Sequence, residues 1–78
     1  MNKFEVGDRV VCISADKEFD QITEGNTYVV LDITVERMFE YLKITRDDGT
    51  KYEFMSYRFE LSPETIRKRI IEEILKWS

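Results

Sequence analysis

The sequence predicts a mainly β fold, a small five-stranded barrel followed by one C-terminal α-helix. Three observations predict it. Residues 1 to 61 alternate with a period of two between turn-forming pairs, and residues 62 to 77 change to a helical period. The chain is 78 residues long, which leaves room for one small domain. No stretch rich in Gly, Ser or Pro separates the two parts. Residues 1–61 and 62–78 are therefore read as one structural domain with a helical appendage.

The first turn is Val6-Gly7-Asp8, and a strand follows near Arg9 to Ser14. Ala15 to Ile22 is polar and acidic, a loop with apolar anchors at Phe19 and Ile22. Thr23-Glu24-Gly25-Asn26 turns the chain again, since Gly25 and Asn26 both tolerate positive φ. Thr27 to Val35 has the strongest strand pattern, with Val29, Leu31, Ile33 and Val35 on one face. Tyr28, Val30, Asp32 and Thr34 make its other face mixed. After Glu36-Arg37-Met38, Phe39 to Arg46 alternates Leu42 and Ile44 against Tyr41, Lys43 and Thr45. The Asp-Gly pair in Asp47-Asp48-Gly49-Thr50 marks a tight hairpin. Lys51 to Met55 then sets Tyr52 and Phe54 on one face, and Ser56-Tyr57-Arg58 turns into a last strand, Phe59-Glu60-Leu61. Short strands joined by tight turns suit a strongly bent barrel, because a flat sheet would leave open edges and a bare face.

Ser62-Pro63-Glu64-Thr65 is a helix start. Ser62 caps, Pro63 takes the first helical position, and Glu64 meets the positive end of the dipole. At about 100° per residue, Ile66, Ile70, Ile74 and Trp77 share about 80° of arc. Ile71 and Leu75 widen the stripe to about 180°, interrupted by Arg67. Lys68, Arg69, Glu72, Glu73 and Lys76 lie opposite. One small barrel needs a stripe of only about 100°. The excess therefore reads either as a helix plugging an open end of its own barrel or as contact with another subunit. Ile71, Ile74, Leu75 and Trp77 are the candidate interface of a homo-oligomer, a state that so short a chain favours.

The composition excludes most chemistry. With no histidine, neither a triad nor an ordinary zinc site can be assembled, and the usual base near neutral pH is missing. Gly7, Gly25 and Gly49 are far apart, so no phosphate loop exists. The acids Asp16, Glu18 and Asp20 hint at calcium, but Gln21 stands where a calcium loop needs glycine, and Thr27 where it needs a bidentate Glu. A solvated acidic loop is the simpler reading. Asp47 and Asp48 are explained by their turn. No enzyme, cofactor or metal site is expected.

A single cysteine, Cys12, lies in the apolar run Val10-Val11-Cys12-Ile13 and reads as a buried small hydrophobe. No apolar run is long enough for a signal peptide or a membrane span, so the cytosol is the expected compartment. The 16 acids and 12 bases give a net charge of −4, and duplex DNA is not an expected partner. Neither is a single-signed mimic of DNA, since the bases are interspersed.

Binding remains. Arg46, Lys51, Tyr52, Tyr57 and Arg58 gather cations and aromatic rings near the last hairpin. Such a set can stack a base, clamp a phosphate or anchor a protein. The alternative is that Tyr52 and Tyr57 complete the core while Arg58 pairs with an acid.

Three segments also carry a resemblance: Phe4-Glu5-Val6-Gly7-Asp8-Arg9-Val10, Thr23-Glu24-Gly25-Asn26-Thr27-Tyr28-Val29-Val30, and Asp48-Gly49 with Arg58-Phe59-Glu60-Leu61. Together they resemble small bacteriophage-encoded proteins with an SH3-like (KOW-like) barrel, over residues 4 to 61. The resemblance implies an accessory protein in the bacterial host cytoplasm that counters a host function. It would act by sequestering a cyclic nucleotide immune signal or by binding and inhibiting a host protein. A nucleic-acid-binding accessory module and a virion assembly component are the other functions it implies. RNA-binding KOW domains tend to be more basic than this chain.

Overall fold

The computed structural model describes residues 4–16 and 18–76. Six strands and one α-helix occur among them: β1 Arg9–Cys12, β2 Thr27–Val29, β3 Asp32–Glu36, β4 Phe39–Thr45, β5 Lys51–Met55, β6 Phe59–Leu61 and α1 Pro63–Lys76. A single 3-10 turn, Ser56–Arg58, leads into β6. The strands form two antiparallel sheets, β2-β1-β6 and β3-β4-β5. No described ladder joins the sheets into a closed barrel. No helix among the described residues is long and apolar enough to cross a membrane.

Six strands replace the five expected because the long strand predicted over Thr27 to Val35 is divided. The Val30 amide donates to the Asp8 carbonyl at 2.9 Å, whereas the next amide, Leu31, donates to Lys43 at 2.8 Å. The chain thus leaves one sheet and enters the other between adjacent residues. That transfer also switches the inner face. In β2, Tyr28 and Val30, on the face read as mixed, are buried while Val29 is exposed; in β3, Ile33, on the apolar face, packs against the core.

Val10, Cys12, Tyr28 and Phe59 from one sheet meet Leu42, Ile44 and Phe54 from the other, with Phe4, Ile22 and Val30 closing the core. The register follows: Val10 sits between Tyr28 and Leu61, and Leu42 and Ile44 face Phe54 and Tyr52. Phe59 makes edge contacts with Tyr28 and Phe54, ring centroids 6.3 and 6.2 Å apart. Phe19, expected as an anchor, is 73% exposed. Its loop is held instead by Asp16, whose carbonyl accepts the amides of Phe19 and Asp20, and whose carboxylate accepts that of Glu18.

Burying Tyr28 is possible because its hydroxyl is satisfied twice. It accepts from the Thr23 amide at 2.8 Å and donates to Asp47 at 2.7 Å. Asp47 also accepts from the Thr23 hydroxyl at 2.8 Å, and its amide donates to the Gln21 carbonyl at 2.8 Å. Burial, as the leading cause, raises the Tyr28 phenol above its ordinary pKa and keeps it a neutral donor. The β4–β5 turn itself is a type I turn closed by Gly49 at φ 88°, which a side chain would strain. There Asp48 accepts from the amide and hydroxyl of Thr50, so Asp47 and Asp48 serve different partners.

The helix begins as expected, the Thr65 amide donating to Ser62 Oγ at 3.2 Å. Its orientation is unexpected. Thr65 bridges the Arg9 backbone, accepting from its amide and donating to its carbonyl, and Arg69 pairs with Asp8 and Glu5. The polar side of α1 therefore faces the sheets, and Ile66, Ile70, Ile71, Ile74 and Leu75 are exposed. Neither plugging nor covering of the barrel by this stripe occurs among the described residues. Trp77 lies outside them. The molecule is correspondingly long, 48 × 28 × 18 Å, with a radius of gyration of 13.5 Å. A compact chain of this length would have about 11–12 Å.

Tyr28→Phe leaves the Thr23 amide without its acceptor and takes one of the two hydroxyl donors from Asp47. Urea unfolding should show a loss of about 1–3 kcal/mol with an unchanged far-UV spectrum. Cys12 is buried, and burial raises its thiol pKa. Its reaction with an aromatic disulfide reagent should wait on unfolding and become immediate in denaturant.

Candidate functional site

The five candidate residues do not form one cluster. Arg46, Lys51 and Tyr52 come together at the β4–β5 hairpin. The Arg46 guanidinium lies 4.8 Å from the centre of the Tyr52 ring, donates through Nε to the Thr50 hydroxyl at 2.8 Å, and stands 3.7 Å from Asp48. This is a cation–π stack held from behind by the turn. Tyr52 is 54% exposed and Tyr57 is also exposed, so neither completes the core.

Arg58 is committed elsewhere. Its guanidinium pairs with Asp20 of the acidic loop and lies 5.8 Å from the centre of the Phe54 ring. Both partners are largely shielded, Arg58 27% and Asp20 16% exposed in their side chains. The Asp20 carboxyl sits below its ordinary pKa, chiefly through a hydrogen bond from the Asp16 amide and then through Arg58. This salt bridge fastens the loop to the 3-10 turn, and Arg58 is a structural residue.

The outward side of β4 supplies what the cluster lacks. Leu42 and Ile44 point inward, so Tyr41 and Lys43 point out, and the register sets Lys43 beside Glu53 and Asp32. Tyr41, Lys43, Lys51, Tyr52 and Glu53 line an open depression of about 410 Å³. A second, of about 390 Å³, shares Lys43 and Lys51 and adds Leu31 and Asp32. The two share the lysines as walls. Among the described residues, neither lysine makes an ion pair. The trough offers two ammonium groups and the Tyr41 phenol ring to an anion or a planar group, flanked by two acids and bordered by Tyr52, whose ring leans to the Ile44 side of the sheet. Tyr41 and Lys43 were legible as the polar side of an alternating strand; that they border Lys51 depends on strand pairing.

A second exposed surface is the β3–β4 turn. Arg37 takes φ 56° there, and Val35, Met38 and Phe39 project into solvent, Met38 being 94% exposed. No group of three His, Cys, Asp or Glu side chains able to hold a metal ion occurs among the described residues.

Arg58→Ala should behave as a stability variant, losing about 1–3 kcal/mol because Asp20 keeps its shielded charge without a partner. A carboxyl lowered by folding stabilises above its ordinary pKa, and that contribution disappears as pH falls through the lowered value. Wild-type thermal stability should therefore drop below about pH 4, and Asp20→Asn should flatten that dependence. Comparison with protein-family models, with curated proteins and with solved structures yields no match to this chain.

Proposed function

We propose that this chain is a non-catalytic binding protein that acts by occupying another protein. The observation that carries this reading is the β3–β4 turn. A chain with 36% charged residues leaves Met38 exposed at this turn, with Val35 and Phe39 exposed beside it on the two faces of the hairpin. Large apolar side chains exposed around one turn mark an interaction surface, and an exposed methionine adapts to the shape of a partner. The resemblance to small phage-encoded barrels supports a bacterial host protein as the partner, met in the host cytoplasm and inhibited there.

The SH3-like reading of the fold has support of the same kind. β2 and β3 behave as one strand bent at Val30–Leu31 and shared between both sheets, which leaves five strands in the count. A single 3-10 turn precedes the last of them.

A second reading rests on the trough. Lys43 and Lys51 offer charge to a phosphate and Tyr41 beside them offers a stacking face, which suits a cyclic nucleotide signal. The net charge of −4 weighs against a nucleic-acid module, whose affinity would come from phosphate neutralisation.

Affinity capture from bacterial lysate should return a discrete protein with the wild-type chain, and capture should fall at least about tenfold with Met38→Asp or Phe39→Ser. Equal capture by all three would sink the tip as the working surface. Calorimetry with cyclic di- and trinucleotides should show heat that Lys43→Glu and Lys51→Glu remove if the trough is the site. Silence throughout would leave the protein-binding reading alone.

A further inference from the structure

We propose that α1 pairs with α1 of a second copy of this chain, antiparallel and about a two-fold axis near Ile70 and Ile71. The helix is mounted with its polar side inward. Thr65 and Arg69 are fastened to β1 and the preceding turn, so Ile66, Ile70, Ile71 and Ile74 face solvent with exposures between 45% and 64%. These residues are isoleucines at helical spacing on one continuous side, an arrangement that water disfavours.

The order of charges along the helix says what covers it: Arg67 lies within the stripe, and Lys68 and Glu73 border its two edges. Arg67, Lys68 and Arg69 fill the first half of the helix, and Glu72 and Glu73 begin the second. Arg69 is already shared with Asp8 and Glu5, leaving Arg67 and Lys68 as the basic contribution. Laid antiparallel on a second copy, the basic half of each helix runs along the acidic half of the other. Arg67, which interrupts the stripe, then lies level with Ile74 of the other copy. Laid parallel, Arg67 would oppose its own counterpart and Glu73 would lie level with Glu73. The helix dipoles also oppose in the antiparallel pair and add in the parallel one. A surface complementary to itself under a two-fold rotation is what an isologous dimer requires.

A membrane surface fits less well, since it selects a basic polar face and this one is mixed in sign. The pair leaves the β3–β4 tip and the trough uncovered by the helices, so it stands apart from the binding reading above.

Sedimentation equilibrium on the wild-type chain should approach twice the 9.4 kDa chain mass as concentration rises. Arg67→Glu with Lys68→Glu makes the middle of the helix predominantly acidic, and Glu72→Lys with Glu73→Lys makes it predominantly basic. Each double variant alone should be monomeric, with its strand signal intact by circular dichroism. Mixed in equal amounts, they should recover the dimer. Orientation is read by cross-linking in a Cys12→Ser background: Arg67→Cys mixed with Ile74→Cys should form disulfide faster than either alone. A wild-type chain that stays monomeric at its solubility limit overturns the proposal, whether or not it then binds lipid vesicles. A mixture that remains monomeric, or a faster disulfide from Arg67→Cys alone, overturns it as well.

Discussion

Because the Val30 amide bonds to Asp8 while the Leu31 amide bonds to Lys43, one peptide unit carries the chain from one sheet to the other. The two sheets are consequently linked by the shortest covalent path available and must face one another. Val10, Cys12 and Phe59 can then meet Leu42, Ile44 and Phe54 without a long connection, and the core is enclosed by strands of three to seven residues. The same transfer decides the outside. With Leu42 and Ile44 inward, Tyr41 and Lys43 are left on the outer surface that forms the trough.

Several of the acids prove to have work within the fold. Asp8 holds Arg69, Asp20 holds Arg58, Asp47 receives two hydroxyls, and Asp48 receives both donors of Thr50. Each of these carboxylates comes from a turn or loop and ties it to a donor on another segment or across the same turn. Acids placed this way stabilise connections that have too little apolar surface to hold themselves, as expected in a domain this small. The net negative charge is in this sense partly a by-product of how the turns are fastened.

The local signals were legible because they depend on near neighbours. The Asp48-Gly49 hairpin, the Ser62 cap, the helical start at Pro63 and the buried Cys12 all follow from a few adjacent side chains. What was not legible depended on distance along the chain. Alternation over Thr27 to Val35 shows two faces but not that the inner one changes at Val30–Leu31; in β2 the inward turn of Tyr28 is supported by Asp47, nineteen residues beyond it, whose carboxylate satisfies the phenol. Arg58 looked like a ligand residue because its partner, Asp20, lies 38 positions earlier. Of the candidate cluster, only Arg46, Lys51 and Tyr52 are brought together, since one hairpin holds all three. The helix stripe was visible from its periodicity, but the direction it faces depends on Thr65 and Arg69 finding β1 and Asp8.

That mounting has a mechanical consequence. Among the described residues, α1 is fastened by Thr65, Glu64 and Arg69, all in its first two turns. Its 14 residues are close to the length below which an isolated helix is marginal in water. The side-chain contacts that mount the helix on the sheets thus lie toward its first half. A body that comes to rest on Ile70, Ile71 and Ile74 does more than hide apolar surface: it supplies the tertiary contacts that keep the far turns wound. Helix content and occupancy of the stripe are thus two readings of one equilibrium.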